Sequence, residues 1–394
     1  TALAQAAAGF EEPPDESPAA SLAAAQRRGD AFQVQDPVHS DGLMHHYVVE
    51  SRFGVFPAYG TDALGVRLRE VAALQTLAGT SDADVVLKSI LRGTRESVET
   101  VVQVATNPVG AILGIPRGVA HLLGGYRAEA EEVTRQGGAG PQGMRQSAQS
   151  AKQYADRYLG LGAAERRWYG KLGVDPYTDN EVLRKAVRHL AKVDAGVSLG
   201  MRFAPVGIPF AGEARRALDA IYNESPAVLR KRRREALAAF GLKPEEVRQF
   251  ENTMLLNPTR QTRLVNDVQA LEGVEGREEL LRHAIGVTSQ EEIEVFLQSA
   301  AMLLRFHARR PVARILPGLR IPAAQLSDGG IVVFGSFDAV YWTADVAGYA
   351  QVLDTEAPGS RRELRLAGSV SARARREIEQ RGWSVQDHAD PLGP

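Results

Sequence analysis

Residues 96–136 constrain this chain most, because they place an apolar centre broken by Gly and Pro between two amphipathic helical patterns. In water, such a centre must lie against a core, a partner or a lipid surface. Pro and Gly are poor helix formers, so packing has to hold the centre together. We expect the segment to serve packing or association rather than chemistry. The positions expected to contact a partner are Val109, Ile112, Leu113, Ile115, Val119 and Leu122.

Three interpretations of residues 96–125 stay open. They form two buried core helices joined by a kink, a docking surface for another protein, or a helix lying in the plane of a membrane. Arg117 and Arg127 supply too few cations for the basic face that membrane-surface helices carry. The sequence therefore favours packing within the protein or on a protein partner.

The composition is that of an ordinary globular protein. Of the 394 residues, 44% are hydrophobic, 24% are charged and 6% are aromatic, and the net charge is −1. Ala, Leu, Val and Arg dominate, which favours helices over strands. The near-neutral charge selects neither nucleic acid nor an acidic surface as a partner. The chain contains no Cys, which excludes disulfides, thiolate metal sites and cysteine nucleophiles.

The first residues indicate export. Ala2-Leu3-Ala4 and Ala4-Gln5-Ala6 both match the A-x-A pattern at which leader peptides are cleaved, and an Ala-rich tail is the alternative explanation. The absence of Cys fits an extracytoplasmic protein that avoids oxidation chemistry. No run of about 18 apolar residues occurs, which argues against a spanning helix. We expect an extracytoplasmic protein that is periplasmic, associated with the outer membrane or secreted.

The chain divides into five stretches by composition and periodicity. They are an extended arm over 1–38, a β-hairpin plus helical region over 39–136, a Gly-rich linker over 137–146, a helical domain over 147–310 and an α/β element over 311–394. Apolar spacing and capping residues predict helices near 147–159, 162–172, 180–198, 211–222, 226–240, 244–251, 258–271, 276–284 and 288–309. The predicted fold is mainly α, a multi-helix domain with a short N-terminal β-hairpin and a small C-terminal α/β element.

Alternating apolar residues predict the strands. Two runs between residues 44 and 59 read as a hairpin. Near the C-terminus, strands are expected over 319–326, 331–334, 363–367 and 383–386, with helices over 343–353 and 371–381. Because Val332 and Phe334, like Leu364 and Leu366, sit at period-2 positions, we expect these four side chains to share one apolar layer. Trp383 should cover one face of the same sheet.

Histidines provide the only metal-site hypothesis, and it is a weak one. His39, His45 and His46 lie near Asp41, but no pair has the spacing that places two ligands on one helix face. His45 and His46 are adjacent on a predicted strand, so their side chains should point to opposite faces. We expect no joint metal site and no cofactor.

Two charged stretches and one hydroxyl group are candidate functional groups, and each also has a structural explanation. The run Arg230, Lys231, Arg232, Arg233 and Arg234 is the candidate anion site, although on a helix it spreads over more than a full turn and pairing within the protein is favoured. The acidic stretch 175–181 lacks the calcium-loop pattern, and Asp179 or Asn180 as a helix cap explains it. Ser371 begins a predicted helix, where its hydroxyl caps the helix or meets an anion.

Three stretches carry a resemblance to known sequences. Tyr47–Tyr59, Asn107–Gly118 and Gly173–Leu183 together resemble a set of uncharacterised bacterial exported proteins that are mainly α-helical, in a likeness covering about residues 45–385. These motifs are structural turns and caps. The resemblance therefore implies relatives and export but supplies no activity.

The sequence favours a non-enzymatic extracytoplasmic binding or assembly subunit. The N-terminal arm and the apolar 96–125 segment would engage a protein partner or a second copy of the chain, and no nucleic acid. One alternative is a peripheral protein associated with a membrane surface. Another is a hydrolase whose site is dispersed in sequence, for instance around His45, His46 and Asp41.

Overall fold

The computed structural model describes residues 9–79, 87–90, 152–154, 158, 160–193, 212–359 and 361–389. Its helices are α1 Pro18–Ser21, α2 Ala24–Arg27, α3 Thr61–Ala78, α4 Ala163–Leu172, α5 Glu181–Val193, α6 Gly212–Asn223, α7 Pro226–Ala239, α8 Pro244–Asn252, α9 Pro258–Ala270, α10 Glu279–Ile285, α11 Gln290–Arg309, α12 Ala344–Glu356 and α13 Ala372–Gln380. Its strands are β1 Arg28–Gly29, β2 Phe32–Val34, β3 His39–Ser40, β4 His45–Ser51, β5 Gly54–Tyr59, β6 Val312–Ile315, β7 Ala323–Leu326, β8 Ile331–Gly335, β9 Ala339–Val340, β10 Arg362–Leu366, β11 Ser369–Val370 and β12 Trp383–Gln386.

An antiparallel sheet of five strands forms the N-terminal part of the described chain. The predicted hairpin is present as β4 and β5, and both β2 and β3 add to the other edge of β4. Helix α3 packs on β4 and β5. Its apolar positions Leu64, Leu68 and Leu74 are fully buried in one core with side chains of the sheet and of helices α4 and α5.

A second sheet, near the C-terminus, has the order β12-β10-β8-β7-β6. Strands β6, β7 and β8 form an antiparallel meander, whereas β8, β10 and β12 are parallel and connect through α12 and α13. Helices α12 and α13 pack on one face, and the bundle that contains α11 packs on the other. The described C-terminal region is therefore a three-layer arrangement with a mixed sheet between helices.

The expected pairing of residues 331–334 with 363–367 is confirmed, but the expected shared layer is wrong. Leu364 is the register partner of Val333, not of Val332. Leu364 and Leu366 therefore pack with Ile331 and Val333 beneath α12 and α13, while Val332 and Phe334 face the α11 side. Because β8 is central and apolar on both faces, its sequence does not show which face joins its neighbours. Trp383 lies in the same layer as Leu364.

The prediction of a mainly α fold with a short N-terminal hairpin and a small C-terminal α/β element is wrong. The described residues form two five-stranded sheets and a separate two-stranded sheet of β9 and β11. Strands β1, β2 and β3 contain two or three residues each. Such strands are too short to display the period-2 alternation on which a strand prediction depends.

The described part of the predicted arm packs against both sheets. Residues 28–34 contribute β1 and β2 to the N-terminal sheet, and Val34 and Val38 are buried. The backbone N–H of Glu11 donates to the Trp342 carbonyl at 2.8 Å, and the Trp342 N–H donates back to the Glu11 carboxylate at 2.5 Å. Residues from Gly9 onward are therefore held by contacts within the chain.

Replacing Phe334 with Ala tests the central position of β8. Phe334 is 1% exposed and lies against the helical bundle, so we expect the free energy of unfolding in urea to fall by about 3–5 kcal/mol. Val228→Ala is the control, because Val228 is 43% exposed and its truncation should cost about 0.5 kcal/mol or less. Equal effects of the two substitutions would contradict the described sheet packing.

Candidate functional site

The structure separates the three candidate histidines by the faces of the N-terminal sheet. His39 on β3 is the register partner of His46 on β4, whereas His45 pairs with Ser40 and its side chain is buried on the opposite face. The expected divergence of His45 and His46 is confirmed. Within the described ranges, no group of three His, Cys, Asp or Glu side chains is arranged to hold a metal ion.

Asp41 brings His46 and Tyr59 together at the start of β4. Its Oδ1 accepts the backbone N–H of Leu43 at 2.9 Å and of Met44 at 2.8 Å. Its Oδ2 accepts the Tyr59 hydroxyl at 2.6 Å and lies 3.3 Å from His46 Nε2. Burial acts against ionisation, but the contacts with His46 and Tyr59 outweigh it and lower the pKa of Asp41. The carboxylate is thus committed to shaping the turn between β3 and β4.

Asp338 is the polar centre of the contact between the two sheets, which we call the junction and where it contacts His45 and Thr61. Its Oδ2 accepts the backbone N–H of His45 at 3.0 Å, and both carboxylate oxygens accept the N–H of Thr61, at 3.1 and 3.2 Å. Thr61 is the first residue of α3, so Asp338 caps that helix from a distant part of the sequence. Burial raises the pKa of Asp338 despite these bonds.

The His45 ring lies between three polar groups of this junction. Its Nδ1 is 3.1 Å from the Tyr47 hydroxyl, which in turn lies 3.1 Å from Thr61 Oγ1. The same ring is 3.9 Å from both Glu16 and Asp338. These contacts lie inside the fold, and His45 is 3% exposed. The arrangement therefore fixes the junction and leaves His45 little access to a substrate.

The basic run over residues 230–234 is paired within the chain. Glu251 is buried and receives Arg230 at 3.2 Å and Arg234 at 2.8 Å. Arg232 contacts Glu224 at 2.6 Å, and the exposed Lys231 contacts Glu235 at 3.9 Å. Arg233 is buried and donates to Thr262 Oγ1 at 3.3 Å. Each of these five side chains therefore has a partner within the described chain.

The remaining sequence hypotheses have separate outcomes. Residues 96–125, with the six apolar positions proposed to bind a partner, lie outside the described residues. Asn180 caps α5 by accepting the Leu183 N–H at 3.1 Å. Ser371 caps α13, and its hydroxyl also donates to the Glu11 carboxylate at 2.6 Å. The anionic group at Ser371 is therefore the Glu11 carboxylate of the chain's own N-terminal segment.

Sequence reasoning missed a polar cavity of about 90 Å³ beside α4 and α5. Gly173, with φ of +65°, ends α4 in the left-handed conformation, and Asp175 holds the following turn by accepting the Tyr177 N–H at 2.9 Å. The chain then returns as α5 against α4. The lining of the cavity includes the side chains of Tyr158, Glu165, Tyr169, Tyr177, Arg184 and Arg188.

Two signals in the sequence point toward this cavity. Four of the ten tyrosines of the chain fall between residues 154 and 177. Arg184 and Arg188 are four residues apart, which places them on one face of α5. Neither signal is sufficient alone, because arginines at this spacing usually form a solvated face.

Comparisons with protein families, with curated proteins and with solved structures find no match to this chain. The expected kinship with bacterial exported proteins therefore stays a prediction.

Asp62 gives the junction a testable dependence on pH. Burial, followed by repulsion from Asp338, raises its pKa from 3.8 to about 6. Between the unfolded pKa of 3.8 and the folded pKa of about 6, the Asp62 carboxyl keeps a proton in the folded protein that it releases in the unfolded chain. The stability that this bound proton provides is complete below the unfolded pKa and is lost as the pH rises through the folded pKa. Asp62→Asn should therefore gain about 1–3 kcal/mol of unfolding free energy relative to wild type between pH 4 and pH 7.

The measurement is urea unfolding of both proteins at a series of pH values. Asp345→Asn is the matched control, since Asp345 is an exposed carboxylate in the first turn of α12. A difference between Asp62→Asn and wild type that does not change with pH would contradict the raised pKa of Asp62 in the folded protein.

Proposed function

We propose that this protein is a non-enzymatic, extracytoplasmic binding or assembly subunit that engages a protein partner or a second copy of itself. The apolar residues between 109 and 122 are the proposed contact surface. The main observation in support is that the described carboxylates and histidines of the junction make hydrogen bonds and ion pairs within the chain.

The state of Asp41 and Asp338 argues against the hydrolase alternative. A general base needs a lone pair directed at the group that loses a proton. Asp41 accepts two backbone N–H groups and the Tyr59 hydroxyl, and Asp338 accepts two backbone N–H groups. Donors of the chain itself thus surround both carboxylates, which supports a structural role for the histidines near them.

The contacts of the N-terminal segment narrow the proposal. Residues 9–38 bind the chain's own sheets, through Glu11 at Trp342 and through β2 at β4. The proposed partner surface is therefore the apolar sequence around Ile112, and residues 9–38 serve the fold. Among the described residues, no helix has the length and hydropathy to cross a membrane. The absence of Cys and the A-x-A patterns support the proposed extracytoplasmic location.

Replacing Ile112 with Asp tests the partner surface. Burying an unpaired aspartate in a dry interface costs free energy of association. If Ile112 lies in such an interface rather than in the core, we expect the variant to remain folded but to lose assembly. The full chain and the variant are isolated from the producing cells, and their masses are compared by native mass spectrometry together with their melting temperatures. We expect complexes larger than the monomer for the wild type and monomer alone for the variant, with melting temperatures within a few degrees.

Val228→Asp is the matched control, because Val228 is an exposed apolar residue of α7 and the change adds the same charge elsewhere. It should assemble as the wild type does. Outright misfolding of Ile112→Asp would assign the segment to the core, and loss of liposome flotation alone would assign it to a membrane surface. Assembly unchanged by the substitution would contradict the proposal.

A further inference from the structure

The cavity beside α4 and α5 contains hydrogen-bond donors that have no acceptor among the described residues. The Arg184 guanidinium has no hydrogen-bond or ion-pair partner in the described part of the chain. The hydroxyl groups of Tyr169 and Tyr177 likewise have no hydrogen-bond partner among the described residues. All three side chains belong to the lining of the same cavity.

This surplus of donors contrasts with the pairing elsewhere in the same region. Thr178, which also lines the cavity, donates its hydroxyl to the buried Glu70. Arg67 forms a two-pronged contact with Asp179, at 2.5 and 2.9 Å. An arginine that faces a cavity without such a partner leaves its planar, two-pronged donor edge open to a ligand.

The charge balance of the wall favours an anion. Glu165 is the acidic group among the lining residues, and it lies 3.6 Å from Arg188 while its other oxygen accepts the Gly162 N–H at 3.0 Å. Asp175, next to the cavity, is half-buried and accepts hydrogen bonds from the Tyr177 N–H and the Thr259 hydroxyl. With Glu165 paired to Arg188, the positive charge of Arg184 has no counterion among the described residues of the wall.

Aromatic and apolar groups complete the cavity. The Tyr158 and Tyr177 rings meet edge to face with centroids 5.8 Å apart, and Leu161 and Pro176 add aliphatic surface. The Tyr158 hydroxyl donates outward to the Met254 carbonyl at 2.9 Å, so its ring rather than its polar tip is available as wall. A ligand with a small apolar part beside its charged group matches this lining.

The geometry points to a binding site for a small organic carboxylate in this cavity, held by the Arg184 guanidinium and the hydroxyls of Tyr169 and Tyr177. The volume of about 90 Å³ is well below the roughly 300–1,000 Å³ of pockets that hold larger ligands. It therefore fits an acid with a short aliphatic group rather than a cofactor-sized molecule. This site is independent of the proposed protein-binding surface, which involves different residues.

Titration calorimetry of the full chain with sodium acetate, propionate and isobutyrate, against sodium chloride, tests the site. We expect saturable binding that is tighter for the acids with a larger aliphatic group. Arg184→Gln should weaken binding at least about tenfold, because it removes a charge-assisted pair of hydrogen bonds. Tyr177→Phe should weaken it by about threefold to tenfold.

Lys185→Gln is the matched control, since it removes a neighbouring positive charge that lies outside the cavity and contacts Glu181 at 3.2 Å. It should bind the acids within about twofold of wild type. Arg184→Gln should keep its melting temperature, because Arg184 is only half-buried and unpaired among the described residues. A variant that does unfold is replaced by Arg184→Lys, for which weakened but measurable binding is expected.

Three results would overturn the assignment. These are the absence of saturable binding by any of the acids, equal affinity of wild type and Arg184→Gln, and binding of inorganic phosphate without binding of the carboxylates. The last result would reassign the cavity to a different anion.

Discussion

One buried carboxylate joins the two halves of this fold. Asp338 follows the central strand of the C-terminal sheet, and it accepts the N–H groups that begin β4 and α3 of the N-terminal sheet region. The first N–H groups of a helix have no partner inside the helix and carry partial positive charge, so a carboxylate stabilises them. Close packing surrounds this contact, since a Cβ at Gly368 would lie 1.9 Å from the Asp338 carbonyl oxygen.

Most of the charged side chains discussed here are paired within the described chain, and Arg184 is the exception. Arg320 and Glu292 form a buried ion pair at 3.0 Å, and the basic run of α7 is held largely by Glu251. Such groups repay the cost of leaving water by bonding to each other, and removing one partner would strand the other. Arg184 differs, because it lines a cavity and has no carboxylate partner in the part of the chain that the structure describes. That difference, rather than the number of basic residues, marks the candidate ligand site.

Local sequence signals predict most helices and strands, whereas contacts between residues that are distant in sequence cannot be predicted from them. The N-cap of α5 at Asn180 follows from a short-range preference, and so does the hairpin of β4 and β5. The start of α11 shows the limit, since Ser289 caps the helix and Glu292 accepts the Thr288 N–H, whereas the sequence predicts a helix that begins at residue 288. The sheet order, the contact of Asp338 with α3 and the lack of a described counterion for Arg184 depend on tertiary packing, which periodicity does not encode.

Hydrogen exchange of the His45 and Thr61 amides measures the central contact directly. In the wild type both amides should be protected, because each donates to the buried carboxylate of Asp338. In Asp338→Ala, exchange of both should accelerate by at least about tenfold more than exchange within the C-terminal strand β8, since the acceptor is lost while β8 keeps its ladder. Unchanged protection of the His45 and Thr61 amides in a folded variant would contradict the account that this carboxylate joins the two sheets.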